Sequence, residues 1–311
     1  MIQLGARVEH PGWGTTVQDM GRQGVLRFGL TTGGATDPYA LRWANHLLQN
    51  PPEAAALEIL PGGFTLRLLA DCQLALTGAD LQATCNERPL QTWSSGWFRA
   101  GSVLQWGTAR SGLRAYLAVT GGWQTPLCFG SRSTVVREGL GGIDGRHLKR
   151  GDELSMCVHE PQHSRTVAPR WQPNYAQPLT LRYVAGYQFE GFSKAALHAF
   201  HHAHFHVSPQ SNRMGVRLLG PRLALPELAS RSEPMALGTI QISGAGQPIV
   251  LLQERQTMGG YLKLGSVCYA DCAALAQRAP GSLVSFKPMP RADLLAERVR
   301  WDQFFSSGAS S

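Results

Sequence analysis

Along most of the chain, apolar residues recur in short runs or in alternation with polar ones, bounded by Gly, Asp or Asn. This is the pattern of strands rather than helices. Phe64 to Leu69, Cys72 to Leu76, Ser102 to Trp106 and Leu113 to Val119 read this way. So do Leu179 to Ala185, Val216 to Leu218, Thr239 to Ile242, Ile249 to Gln253 and Leu283 to Phe286. Helical spacing is rare. Over Pro38 to Leu48 the residues Leu41, Ala44, Leu47 and Leu48 share a face, with Asp37 as N-cap and Pro38 at the first helical position. Further helices are predicted from Ser193 to about His201, over Asp271 to Gln277, and as an amphipathic terminal element from Arg291 to Phe305. The tail Ser306 to Ser311 is expected to be disordered.

Three segments echo one another: Gly101-Ser-Val-Leu-Gln-Trp, Gly151-Asp-Glu-Leu-Ser-Met and Gly281-Ser-Leu-Val-Ser-Phe each turn at a glycine and alternate into a strand. Their spacing is too irregular for a solenoid and fits reused β-units, as in two related barrels. The polar, proline-rich stretch from His159 to Pro178 lacks periodicity and is the best candidate linker. The expected organisation is a β-rich domain over 1–165, a β-barrel domain over 178–290, and a terminal helix and tail over 291–311.

Composition sharpens this picture. The chain has 311 residues, enough for a core without disulfide staples. Its 35 glycines and 19 prolines suit a turn-rich fold. Charged residues are 16% against about 25% usually, which fits a surface partly covered by a partner. The net charge of +8 invites a nucleic-acid reading. The basic residues, however, are scattered singly and no nucleic-acid motif is present. The start lacks the basic and apolar regions of a secretory signal, and no run is long enough to span a membrane, so a cytoplasmic location is expected. Six cysteines form no C-x-x-C pair and read as small buried hydrophobes in a reducing compartment.

Candidate chemistry lies in the glycine-bounded loops. Thr15 to Gly24 contains Asp19 and Arg22 between glycines. It is either a loop presenting amide N–H groups and a guanidinium to an anion or carbonyl, or a turn in which Asp19 and Arg22 pair. Gly33-Gly-Ala-Thr-Asp37 leads into the first helix, where Asp37 caps or binds. In Ser208 to Gly215, Ser211, Asn212 and Arg213 offer donors that suit a carboxylate, or simply close a polar turn. Gly246-Gln-Pro, then a strand, then Gln253 to Tyr261 with a double glycine, lets backbone approach a ligand closely. Five histidines between His198 and His206 raise a metal reading, with His198 and His202 at i, i+4; the alternation His202, His204, His206 equally suits a solvated strand face. The chain has no P-loop, no dinucleotide-binding glycine fingerprint, no G-x-S-x-G elbow and no Met-Lys-Met biotin attachment site.

Taken in order from Gly12 to Phe286, the segments TTVQDMGRQG, GGATDPYALRWAN, Leu57-Glu-Ile, Leu76-Thr-Gly-Ala, Tyr116-Leu-Ala-Val-Thr-Gly-Gly, GGIDGRHLKRGD, SPQSNRMGVRLLG, and GQPIVLL with QTMGGY resemble the C subunit of bacterial 5-oxoprolinase. This is the biotin-dependent carboxyltransferase family, formerly allophanate hydrolase subunit 2. The resemblance implies a mainly β protein with a few short helices and two cyclophilin-like β-barrel domains. It implies pairing with the KipI-like B subunit and the A subunit of 5-oxoprolinase. It further implies ATP-dependent opening of 5-oxoproline to glutamate, with ATP and Mg2+ in the complex and no covalent biotin on this chain. It also points to the loops above as converging on a cleft. There Asp19, Arg22, Arg213, Gln256 and Thr257 are the candidate catalytic residues. Asp37, Ser211, Asn212, Gln247, Gly259, Gly260 and Tyr261 are the candidate substrate-binding residues, with no metal ligand among them. Two competing readings are a carboxyltransferase acting on a urea-like nitrogen and a non-catalytic regulator of a KipI-like protein. Where family members carry Thr-Thr-Gly-Gly-Tyr-Pro, this chain has Met258 and Leu262, and Glu254 stands in a run that usually holds an Asp.

Overall fold

The computed structural model describes residues 1–227 and 231–306. The chain is mainly β, as expected, and it divides into two compact units. The first comprises Met1–Val25 and Thr32–Tyr175; the second comprises Leu26–Thr31 and Ala176–Ser306.

The first unit holds its strands in two sheets around one core. One sheet runs in the order Glu153–Cys157, Ile2–His10, Thr65–Leu68, Val103–Gln105, Thr84–Cys85 and Arg88–Pro89. The other runs Thr16–Gln18, Ala56–Ile59, Ser111–Val119, Cys72–Asp80 and Ser94–Phe98. Inward residues of both sheets, among them Val8, Leu66, Leu104, Leu57, Leu74 and Leu117, form a single cluster with Trp106 and Trp123. Cys72–Asp80 is predicted to end at Leu76 but continues to Asp80. It is buried along almost its whole length, because helix α1 (Pro38–Leu47) lies on its other face and Thr77 Oγ1 donates to the Ala40 carbonyl. Double-sided burial erases the alternation that would have marked its end.

Ile2–His10 escapes the sequence reading because a register shift at Leu4/Ala6 breaks its alternation. The proline-rich stretch after His159 is not a free spacer. Val167 and Tyr175 are buried, Ser95 N donates to the Arg165 carbonyl, and a 3-10 turn forms at Pro169–Trp171.

In the second unit seven strands close a barrel in the order Leu179–Ala185, Leu262–Val267, Thr239–Ile242, Pro248–Leu251, Gly215–Leu219, Phe205–Val207 and Leu283–Pro288. Closure comes from the parallel pairing of Leu179 with Val284 through Tyr183 with Pro288. Leu181, Tyr183, Phe200, Phe205, Ile240, Leu264 and Phe286 fill the interior. Helix α2 (Lys194–His202) is capped by Ser193, whose hydroxyl accepts from Ala196 N. Helix α3 (Tyr269–Ala276) is anchored by Asp271, which accepts from Arg182 N and forms a two-pronged ion pair with its guanidinium. Helix α4 (Arg291–Ser306) forms where predicted, but not with a core-facing stripe: none of its described side chains is buried, and Leu295 is 55% exposed. Residues 307–311, most of the tail expected to be disordered, lie outside the described residues.

Of the six free cysteines, Cys72, Cys268 and Cys272 are buried as expected; Cys85, Cys128 and Cys157 are half-buried. Burial pushes the Cys72 thiol up to about 12, which suits a packing role. No described helix is long and apolar enough to cross a membrane.

Candidate functional site

In the first unit the Asp19 loop follows directly from the strand Thr16–Gln18. Its turn runs against the strap Thr32–Ala35: Arg22 N donates to the Thr32 carbonyl and Ala35 N to the Asp19 carbonyl. Gly21 has φ +85°, and a Cβ there would sit 2.8 Å from the Gly33 carbonyl oxygen, so only glycine fits.

The buried Asp19 carboxylate accepts four hydrogen bonds. Gly21 N (2.8 Å), Ser131 Oγ (2.6 Å) and Ser133 Oγ (2.5 Å) donate to Oδ1, and Arg132 N (2.6 Å) to Oδ2. Such saturation holds the group as an anchor for two loops distant in sequence. The turn reading of this loop fails in detail, because Asp19 and Arg22 do not pair. Arg22 is fully buried, with Nη2 donating to the Ser133 carbonyl at 2.6 Å. Its Nε and Nη1 have no hydrogen-bond partner among the described residues.

The strap is itself suspended from Glu58. Thr36 N and Oγ1 donate to this buried carboxylate at 2.9 and 2.8 Å, and Tyr116 OH donates at 2.6 Å. Asp37 N in turn donates to Tyr116 Oη. Burial, with Glu58 and Asp37 nearby, drives the Tyr116 phenol well above its ordinary value. Asp37, expected to bind substrate, has both oxygens engaged. Oδ1 accepts from Tyr39 N and Ala40 N as the cap of α1, and Oδ2 accepts from Tyr175 OH. The capping half of its reading holds.

Beside the Asp19 loop is a pocket of about 280 Å³ whose walls include Asp19, Gly21, Ala54, Gln124, Leu127 and Arg132. Arg132 and Gln124 escape the sequence reading because they belong to no glycine-bounded motif. The signal available there is the small-hydroxyl alternation Ser131-Arg-Ser133, which turns out to grip Asp19.

In the second unit the Ser211–Gly215 and Gln253–Tyr261 loops do come together. Glu254 N donates to the Arg213 carbonyl, and Arg213 Nε pairs with Glu254 Oε1 at 2.6 Å, with both side chains largely buried. Arg213 is therefore already matched by a carboxylate of its own chain. Ser211 Oγ accepts from Arg217 N, and Asn212 Oδ1 accepts from Met214 N, so both close the turn. Gln247 is latched to Gly220 in both directions at 2.9 Å. Gln256 Nε2 donates to the buried Gln241 Oε1 at 3.2 Å, and Gly259 packs directly against these two amides. The Thr257 carbonyl accepts from Met235 N; Gly260 is half-buried and Tyr261 is 52% exposed. Arg255, missed by the sequence reading, is buried with Nε on the Met235 carbonyl, and burial lowers its basicity.

A larger cavity of about 630 Å³ lies between α4 and the strands Leu179–Ala185 and Leu262–Val267. Its walls are mostly apolar and include none of the residues expected at the site. In the histidine tract, His198 and His202 stack at 4.0 Å, while Phe205 and Val207 point inward and His204 and His206 outward. The described residues contain no group of three or more His, Cys, Asp or Glu placed to hold a metal ion.

The comparison with known proteins places this architecture. The model for the carboxyltransferase domain, subdomain A and B, matches residues 28–288, which is most of the chain. The chain belongs to the carboxyltransferase-domain family. It is 34% identical over 276 residues to the C subunit of 5-oxoprolinase from Haemophilus influenzae, covering 88% of this chain and 87% of that one. It is 35% identical over 307 residues to the C subunit of 5-oxoprolinase from Escherichia coli, covering 96% of both. The crystal structure of the Kluyveromyces lactis urea carboxylase superposes with a TM-score of 0.87 at 27% identity. It covers 99% of this chain, which spans only 29% of that protein. Carboxyltransferase-domain architecture thus accounts for both units.

Proposed function

We propose that the chain is one subunit of a heteromeric, ATP-dependent 5-oxoprolinase that opens 5-oxoproline to glutamate and works only in complex. The observation that carries this reading is correspondence over most of both chains. The chain covers 87% and 96% of two proteins named as the C subunit of that enzyme. Correspondence over most of a subunit's length is the most economical parallel for these two units.

The chemistry divides accordingly. An unactivated lactam is a poor electrophile, and its opening needs an activated carbonyl with donors aimed at the developing oxyanion. This chain's contribution is binding and orientation by buried polar loops. ATP and Mg2+ belong to the assembled complex, and this sequence carries no phosphate-binding loop that would signal their site. The KipI-like B subunit and the A subunit are the expected partners, in the cytoplasm.

The second reading is carboxyl transfer to a urea-like nitrogen, favoured by the close superposition on a urea carboxylase. This chain spans only 29% of that protein, and its sequence has no Met-Lys-Met attachment site, so this reading calls for a biotinylated carrier. A coupled assay separates the two. Co-purified with its A and B partners, the complex releases glutamate from 5-oxoproline only when ATP is present. Turnover that instead requires bicarbonate and a biotinylated carrier overturns the first reading in favour of the second. Tight assembly with no turnover of either substrate supports a regulator of the KipI-like partner.

A further inference from the structure

We propose that the pocket beside the Asp19 loop seats the carboxylate of a small, compact monocarboxylic acid, and that the Arg132 guanidinium grips it. The identification of that acid as 5-oxoproline rests on the function proposed above; the subsite itself rests on geometry.

Arg132 is fixed at both ends. Its backbone N donates to Asp19 Oδ2 at 2.6 Å, which sets the start of the side chain, and its Nη2 donates to Gln124 Oε1 at 2.9 Å, which sets the tip. Gln124 is itself locked, because its Nε2 donates to the Gly121 and Gly122 carbonyls at 2.9 Å each. The side-chain amide can therefore point only its oxygen at the arginine. A guanidinium held in this way loses little freedom on gripping a ligand.

No carboxylate lies within ion-pair distance of Arg132 among the described residues, in contrast to Arg213, Arg146 and Arg182. The neighbouring Asp19 carboxylate does not compete, since four other donors occupy it. The guanidinium thus keeps unmatched N–H donors in a recess of about 280 Å³. Ala54, Pro51 and Leu127 supply an apolar wall for a compact body, while Glu53 at the rim disfavours a second negative charge. A five-membered lactam acid meets these conditions.

The test uses the full-length chain and the assembled complex. Calorimetry measures binding of 5-oxoproline and of its uncharged carboxamide to the wild-type chain and to Arg132→Gln. The wild-type chain is expected to bind the acid and not the amide, and R132Q to lose at least about tenfold in affinity, the scale of one charge-assisted bond. In the complex, R132Q should raise KM for 5-oxoproline by more than it lowers kcat. Equal affinity of wild type and R132Q for the acid, or no binding of the acid by the wild-type chain, overturns the subsite. Should R132Q unfold, Ala54→Leu fills the recess while keeping every polar bond, and undiminished binding by A54L overturns the subsite equally. A wild-type complex that binds the acid but releases no glutamate with ATP overturns the proposed activity and leaves the subsite standing.

Discussion

Asp19 and Arg213 each sit on a glycine-bounded loop, one in each unit; Asp19 is buried and Arg213 largely so, and each is satisfied by its own chain in a different manner. Asp19 is held by neutral hydroxyls and backbone N–H groups, most of them from residues 131–133. Arg213 is held by the opposite charge of Glu254, at the end of the adjacent strand. The first arrangement links two remote loops and leaves Arg132 unmatched beside a recess. The second closes on itself. A motif rich in charged and glycine residues can therefore be scaffold in both units, with the free chemistry carried by a neighbour outside the motif.

The comparison is most exposed to failure at Asp19. Asp19→Ala strands four donors in a buried site, and the expected cost is roughly 3–5 kcal/mol, given about 1.5–3 kcal/mol for each charge-assisted bond and partial relaxation. Thermal unfolding should show a fall of about 10 °C or more for a unit of this size, together with loss of acid binding at the recess. A drop smaller than that of the Arg213 variant would reverse the ranking of the two loops. Arg213→Ala leaves Glu254 buried without its partner and should cost about 2–3 kcal/mol, the lower side of the range for a broken buried pair because a little solvent reaches it. Replacing both residues by apolar ones of similar volume should recover most of that loss. If the double variant stays as unstable as R213A, the pair does more than neutralise itself.

The smallest effect expected is at the histidine tract. Burial, with His202 and His198 nearby, lowers the basicity of His201, whose Nε2 lies 2.6 Å from the Tyr183 hydroxyl. The folded state therefore prefers the neutral ring. Its contribution is present above the ordinary imidazole value of about 6.5 and is lost as pH falls through that value toward the lower folded one. Melting temperatures at pH 7.5 and 5.5 should differ slightly less in His201→Asn than in wild type. An unchanged difference would remove His201 as the source of acid sensitivity.

Much of the fold was legible along the chain. The strands at Thr65–Leu68, Ser111–Val119 and Leu179–Ala185, the Asp37 cap and the Ser193 helix start all follow from short-range pattern and capping chemistry. The first strand and the far end of Cys72–Asp80 were not legible. In the one a register shift interrupts alternation, and in the other burial on both faces removes it. The loops stand out along the chain as polar and glycine-hinged, but the partners of Gln247, Arg213 and Asp37 lie 27, 41 and 138 residues away, where no local pattern reports them.

What the sequence determined by itself was the β class, the family and the places where the backbone must turn, because these depend on neighbouring residues and on residue type. Only the tertiary structure decided which ionic groups are occupied. Whether an arginine is free or matched depends on which remote carboxylate the fold delivers within a few ångströms. Folding delivered Glu254 to Arg213 and sealed Arg22 inside the first unit, while among the described residues the Arg132 guanidinium met an amide oxygen and no carboxylate.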